Sequence, residues 1–150
     1  MTLVIRKESP LTSDARALIE GSESSLRAVY TADECFSFSP EELDTAETQF
    51  FIARKNDNPI GCVAICAQYD YAEIKRLFVT PAARGTGAAQ RLMQHLEAQA
   101  KQSGYTVIRL ETGSKLAAGV ALYKKLGYRI RGPFGDYCDH PASLFMEKHL

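Results

Sequence analysis

The stretch Leu77-Phe78-Val79-Thr80-Pro81-Ala82-Ala83-Arg84-Gly85-Thr86-Gly87-Ala88-Ala89 decides how this chain reads. A strand runs into a glycine-containing loop and then directly into a helix. Such a loop presents backbone N–H groups, unblocked by side chains, at the positive end of a helix dipole, and its natural guest is a phosphate or pyrophosphate. Arg84 adds a fixed positive charge. Taken alone, Gly85-x-Gly87 reads as a tight turn whose glycines relieve strain. The strand before it, the arginine and the helix after it point instead to anion binding.

Working outward, Ala88, Ala89, Leu92, Met93, Leu96 and Ala100 recur at helical spacing, and Gly104 closes that helix. Tyr105 to Glu111 predicts a strand. Ala117, Ala118, Ala121, Leu122 and Leu126 form a second apolar helical stripe, closed by Gly127. Tyr128 to Arg131 and Ser143 to Lys148 predict two closing strands around a turn-rich loop, Gly132 to Pro141. In that loop Asp136, Tyr137, Asp139 and His140 are candidates to shape a pocket, with polar decoration of a hairpin as the alternative.

Upstream, Leu3 to Lys7 predicts a strand, and Ser13 to Tyr30 one helix or two short ones around Gly21. Ser39-Pro40-Glu41-Glu42 has the N-cap, first-turn proline and capping-box glutamate of a helix start. Phe50 to Arg54 and Ile60 to Tyr69 predict a hairpin across Asn56-Asp57-Asn58-Pro59, and Ala72 to Thr80 the strand leading into the loop. The order β-α-α-β-β-β-α-β-α-β-β is an α/β domain with a mixed sheet.

The chain has 150 residues, 45% of them hydrophobic and 24% charged, which fits one domain over residues 1–150. Eighteen basic side chains balance eighteen acidic ones, which argues against an electrostatic nucleic-acid binder. The balance is uneven along the chain. Residues 1–50 hold 4 basic and 10 acidic side chains, a net of −6, and residues 51–150 hold 14 and 8, a net of +6. The second part of the chain is therefore suited to hold an anion. The N-terminus lacks the apolar stretch of a signal peptide, and no run approaches a membrane span, so a cytoplasmic protein without membrane contact is expected. Cys35, Cys62, Cys66 and Cys138 have no zinc-like pairing and are expected to be reduced and structural; His95 and His149 are expected to face solvent, and no metal is implied.

A dinucleotide-binding fold is the first rival, since Gly85-x-Gly87-x-x-Gln90 resembles its fingerprint and Glu111 ends the next strand. Gln90 stands where the third glycine belongs, and a long hairpin precedes the motif.

Arg84-Gly85-Thr86-Gly87-Ala88-Ala89 is similar to the Arg/Gln-x-x-Gly-x-Gly/Ala signature of the GNAT superfamily, the acetyl-CoA-dependent N-acetyltransferases. The resemblance extends upstream through Glu73-Ile74-Lys75-Arg76-Leu77-Phe78-Val79 and Pro81, and downstream to Ala121-Leu122-Tyr123-Lys124-Lys125-Leu126-Gly127-Tyr128. It implies a mostly antiparallel sheet with one splayed parallel strand pair, flanked by helices, and acetyl-CoA as co-substrate. It implies that backbone groups of Phe78 and Val79 pair with the pantetheine arm and that the N–H groups of Arg84, Gly85, Thr86, Gly87, Ala88 and Ala89 hold the pyrophosphate. The apolar pair Ile74 and Leu77, three apart, predicts a β-bulge near Lys75 or Arg76, and the resemblance implies that such a bulge helps splay the two parallel strands.

Acetyl transfer to an amine needs a base for the amine, a polarised carbonyl and a proton for the thiolate. By resemblance, Glu73 stands at the spacing of the strand-four base, 11 residues before Arg84; its structural alternative is a solvent-facing residue paired with Lys75. Tyr123 holds the position of the thiolate's acid, with packing beside Leu122 and Leu126 as its alternative. The Val79 N–H is the carbonyl polariser. Glu111 is a second candidate base, or a binder of a cationic acceptor. Many relatives carry an Asn seven residues before the tyrosine; Leu116 stands there, so Ser114 is the candidate substitute for that cofactor contact. The expected reaction is direct transfer in a ternary complex to the primary amine of a small molecule. The alternatives are a protein or peptide N-acetyltransferase and a catalytically silent acyl-CoA-binding regulatory module. A homodimer is compatible with the family.

Overall fold

A computed structural model, describing residues 3–31 and 38–150, has seven strands: β1 (Leu3–Lys7), β2 (Thr48–Lys55), β3 (Asn58–Ala67), β4 (Ala72–Val79), β5 (Val107–Gly113), β6 (Arg129–Arg131) and β7 (Ser143–His149). They form one sheet in the order β1-β2-β3-β4-β5-β7-β6. Every neighbouring pair is antiparallel except β4 and β5, which run parallel. The helices are α1 (Ser13–Arg27), α2 (Pro40–Leu43), α3 (Ala88–Gln102) and α4 (Ala117–Lys125). The element order predicts this mixed sheet, and the resemblance implies its single parallel pair and flanking helices.

Local chemistry sets the boundaries. Thr12 caps α1 by accepting from the Ala15 N–H at 3.1 Å. Ser39 and Glu42 complete the capping box of α2 through two 3.1 Å bonds. Asn56 and Asp57, at φ 52° and 65°, form the two-residue turn between β2 and β3. Gly21 does not break α1. A Cβ there would collide with the Phe78 ring, so the glycine lets the helix lie close against β4.

The sheet is packed on both faces. Leu18 and Ile19 of α1 and Leu43 of α2 pack with Phe50, Ile52, Cys62 and Phe78. On the opposite face Leu92, Met93 and Leu96 of α3 pack with Phe51, Val63, Ile74 and Ile108. A third, aromatic cluster of Tyr71, Phe134 and Phe145 joins the strap between β6 and β7 to the sheet.

Some expectations change. Ala117, Ala118 and Ala121 on α4 are exposed, and the helix turns Tyr123 into the core instead. His95 is half-buried, edge-on to Phe51 at 5.0 Å, and burial lowers its pKa; His149 is exposed as expected. Cys62 is buried, its thiol pushed up to about 12 by desolvation, whereas Cys138 is exposed and so has no core role. Cys62, Cys66 and Cys138 are free thiols, and Cys35 lies outside the described residues. Among the described residues no helix is long and apolar enough to cross a membrane.

Candidate active site

A β-bulge opens the sheet beside the glycine loop. Cys62 faces Phe78, but Ala64 faces Lys75, so β4 carries one extra residue. Arg76 takes it up at φ 59°, a left-handed conformation that costs an arginine about 1–2 kcal/mol. Its guanidinium, only 3% exposed, offsets that cost by binding Ser22 Oγ at 3.1 Å, the Phe38 carbonyl at 3.0 Å and the Glu23 carboxylate. The bulge sends the consecutive side chains Lys75 and Arg76 to the α1 face, while Ile74 and Leu77 both enter the α3 face. The slipped alternation in the sequence is this bulge.

Pairing between β4 and β5 spans only Ala72–Ile74 against Ile108–Leu110, although both strands continue. Beyond Ile74 they splay. Thr80 N–H donates to the Ile60 carbonyl at 2.9 Å, so by antiparallel alternation Val79 turns its amide away from β3 and toward the gap. By the same alternation Phe78 turns its backbone groups toward β3, and its ring packs on α1. Of the two, Val79 is the one that offers backbone to the gap.

At the end of β4, Arg84 Nε donates to the Val79 carbonyl at 3.3 Å. Gly85 and Gly87 have φ of +80° and +84°, and nothing lies within 4 Å of where a Cβ would stand. Gly87 opens α3 with no side-chain cap, and Thr86 donates its hydroxyl to the Ala83 carbonyl. The leading N–H groups at Ala88 and Ala89 therefore lack a side-chain acceptor at the positive end of a 15-residue helix. This arrangement fits a pyrophosphate.

The splay leads into a cavity of about 120 Å³ whose walls include Tyr30, Phe38, Lys75, Glu111, Tyr123 and Tyr137. Glu73 does not line it. That residue is 4% exposed, behind Lys75 and Tyr137, where its Oε2 meets Lys75 Nζ at 3.0 Å and accepts from the Tyr137 hydroxyl at 2.6 Å. The pairing with Lys75 is as expected, but the solvent exposure is not. Glu111 does face the cavity. Burial raises its pKa to about 7, against a downward pull from a hydrogen bond to Ser143; Glu73 adds to the rise and Lys75 opposes it. Burial, and secondarily the Glu111 charge, pushes the Tyr123 phenol well above its ordinary value. Tyr123 therefore keeps its proton through neutral pH.

Tyr30 was not singled out in the sequence. Its ring lies against Gly113, where a Cβ would collide with it, and its hydroxyl accepts from the Lys115 N–H at 2.6 Å. It ties the end of α1 to the turn between β5 and α4, across the cavity. A glycine ending a strand signals such a close approach but does not name the partner. Ser114 is exposed, outside the cavity walls, and donates its hydroxyl to the Pro141 carbonyl at 2.9 Å. Among the described residues no cluster of His, Cys, Asp and Glu could hold a metal ion.

Residues 15–128 match the model of the family described as Acetyltransferase (GNAT) family. Over 150 residues the chain is 39% identical to an IAA acetyltransferase of Azospirillum brasilense, covering 99% of this chain and 98% of that one. It is similar to a Klebsiella pneumoniae structure assigned as an acyl-CoA N-acyltransferase, with a TM-score of 0.85 at 29% identity over 99% of this chain and 98% of that chain. It also shares the fold of a PaiA N-acetyltransferase from Thermoplasma acidophilum in complex with coenzyme A, with a TM-score of 0.79 at 21% identity over 100% of both chains.

Proposed function

The chain belongs to the GNAT acetyltransferase family and is an acyltransferase, and from that premise we propose that it moves acetyl from acetyl-CoA to the primary amine of a small molecule. The transfer is direct, within a ternary complex. The observation that carries this reading is the cavity at the end of the splay, which has a carboxyl of raised pKa on one wall and a buried phenol on another.

The co-substrate supplies an activated acetyl thioester. The loop from Arg84 to Ala89 binds the pyrophosphate through uncapped N–H groups, and the Val79 N–H polarises the acetyl carbonyl by donating into the gap. Glu111 takes the amine proton. Its pKa of about 7 matches that task, and it faces the cavity, whereas Glu73 is shielded from it. Glu73 is thus a positioning residue that holds Lys75 and Tyr137. Tyr123 holds its proton at neutral pH and donates to the sulfur as negative charge develops there. Ser114, exposed beyond the cavity walls, is the cofactor contact in place of the family's Asn.

The small cavity, walled by Tyr30 and Phe38, supports a compact acceptor over a peptide. Residues 1–150 act as one transferase domain, and the free thiols suit a cytoplasmic setting. The test is a thermal-shift titration with acetyl-CoA, then an amine panel read by free-thiol release. Stabilisation by acetyl-CoA and turnover that falls about 10²–10⁴-fold in Tyr123→Phe are expected. Stabilisation without turnover on any amine would identify a silent acyl-CoA-binding module instead.

A further inference from the structure

Lys75 is the one primary amine among the cavity's lining residues, and the activity does not use it. It is 9% exposed, held over the Phe38 ring at 3.6 Å, within 3.0 Å of Glu73 Oε2 and 3.5 Å of the Tyr137 hydroxyl. The bulge at Arg76 aims it into the chamber where an acceptor amine would stand. Its surroundings are those a cationic amine acceptor needs: a carboxylate at hydrogen-bond distance, an aromatic face for the cation, and Glu111 on the facing strand. We propose that Lys75 is a self-acetylation site, modified by the chain's own transfer machinery when no small-molecule acceptor fills the cavity.

This rests on the proposed acetyl transfer. The Lys75 ammonium gives one proton to the Glu73 carboxylate, and the neutral nitrogen attacks the thioester carbonyl. The C–N bond forms and the C–S bond breaks; the nitrogen's second proton passes to Glu111, the departing sulfur takes the proton of the Tyr123 hydroxyl, and Glu111 returns its proton to the Tyr123 oxygen. The products are acetyl-Lys75 and free coenzyme A thiol. Flexible lysine stems make such a reach feasible, and a lysine next to a carboxylate has its proton acceptor in place. The product amide is neutral, so the Lys75–Glu73 ion pair is lost and Glu73 is left with Tyr137.

The experiment incubates the full chain with acetyl-CoA and no acceptor, then reads intact mass and maps the modified peptide. One added acetyl group on Lys75 is expected, at a rate independent of protein concentration and slowed by Tyr123→Phe. Lys75→Arg keeps the positive charge beside Glu73 and should abolish the mass gain. A readout without turnover is trace labelling by acetic anhydride, in which coenzyme A bound in the splay should protect Lys75 selectively. The proposal is overturned if Lys75 stays unmodified in protein that acetyl-CoA stabilises thermally and that acetylates an added amine. It is equally overturned if the added acetyl groups sit on exposed lysines and persist in Lys75→Arg. Absence of any thermal shift with acetyl-CoA would instead overturn the parent reading, and this one with it.

Discussion

The Tyr137 hydroxyl donates to Glu73 Oε2 at 2.6 Å across 64 residues of sequence, and Lys75 meets the same oxygen at 3.0 Å. The carboxylate is buried, and these two partners satisfy it. Tyr137 is itself wedged edge-on between Phe134 and Phe145, at 5.3 and 5.5 Å, which fixes the strap between β6 and β7 over the cavity.

Tyr137→Phe keeps that aromatic packing and removes the hydroxyl that donates to Glu73 and accepts from Lys75. It should cost about 1–3 kcal/mol of folding stability, measured by chemical denaturation. The KM for the amine should rise while the thermal shift produced by acetyl-CoA stays as in the parent chain. A loss of the acetyl-CoA shift would show that the strap supports the cofactor side rather than the acceptor side.

Glu111 links activity and stability to the same proton. Its folded pKa, about 7, is raised from 4.5 chiefly by burial, so between those values the native state holds a proton that the unfolded chain has lost. Stability should therefore fall as pH rises from 4.5 through 7, by up to about 3 kcal/mol less whatever solvent access removes. Glu111→Gln should flatten that slope, as read by denaturation at stepped pH. In turnover assays kcat/KM should climb through an inflection near pH 7, and Glu111→Gln should lower it about 10²–10⁴-fold and erase the inflection. Glu73→Gln retaining that inflection would separate the two carboxylates.

Features built from neighbours in sequence were legible before the structure. The capping box at Ser39 and Glu42, the turn at Asn56 and Asp57, the loop at Arg84 to Gly87 and the bulge between Ile74 and Leu77 each occupy a few consecutive residues, and their side-chain chemistry dictates the backbone locally. The features that close the cavity were not legible. Tyr137 with Glu73 and Tyr30 with Gly113 are separated by dozens of residues, and nothing in the strand pattern says which tyrosine reaches which strand. The α4 stripe was misread for a related reason. Helical spacing shows that Ala117, Ala118 and Ala121 share a face, but small alanines tolerate exposure and carry little weight in deciding which face is buried. Tyr123, the larger residue, decides it.

Gly113→Ala tests the Tyr30 contact. The new Cβ would overlap the Tyr30 ring, and overpacking of this kind costs about 1–3 kcal/mol. Tyr30→Ala in the same chain removes the obstacle, so the two losses should be clearly less than additive in a denaturation double-mutant cycle. Additive losses would mean that the turn between β5 and α4 absorbs the clash without Tyr30.

Gly87 and Gly104 flank the two ends of α3, about 22 Å apart for a 15-residue helix. Both have positive φ, +84° and +90°, and nothing lies within 4 Å of a Cβ built on either. Alanine at each should therefore cost a similar amount of stability, about 1 kcal/mol, from backbone conformation alone. Their effects on ligand binding should differ. Gly87 is the N-cap residue beside the uncapped N–H groups where a pyrophosphate would sit, whereas Gly104 lies past the negative end of the helix. A ligand at a hundredfold excess over its Kd stabilises by about 2.7 kcal/mol. Gly104→Ala should retain the full acetyl-CoA shift and Gly87→Ala should lose most of it. Because the conformational cost is matched, a difference between the two shifts reports the anion site and not the stability of the helix. Equal shifts in both variants would remove the α3 N-terminus from the cofactor site.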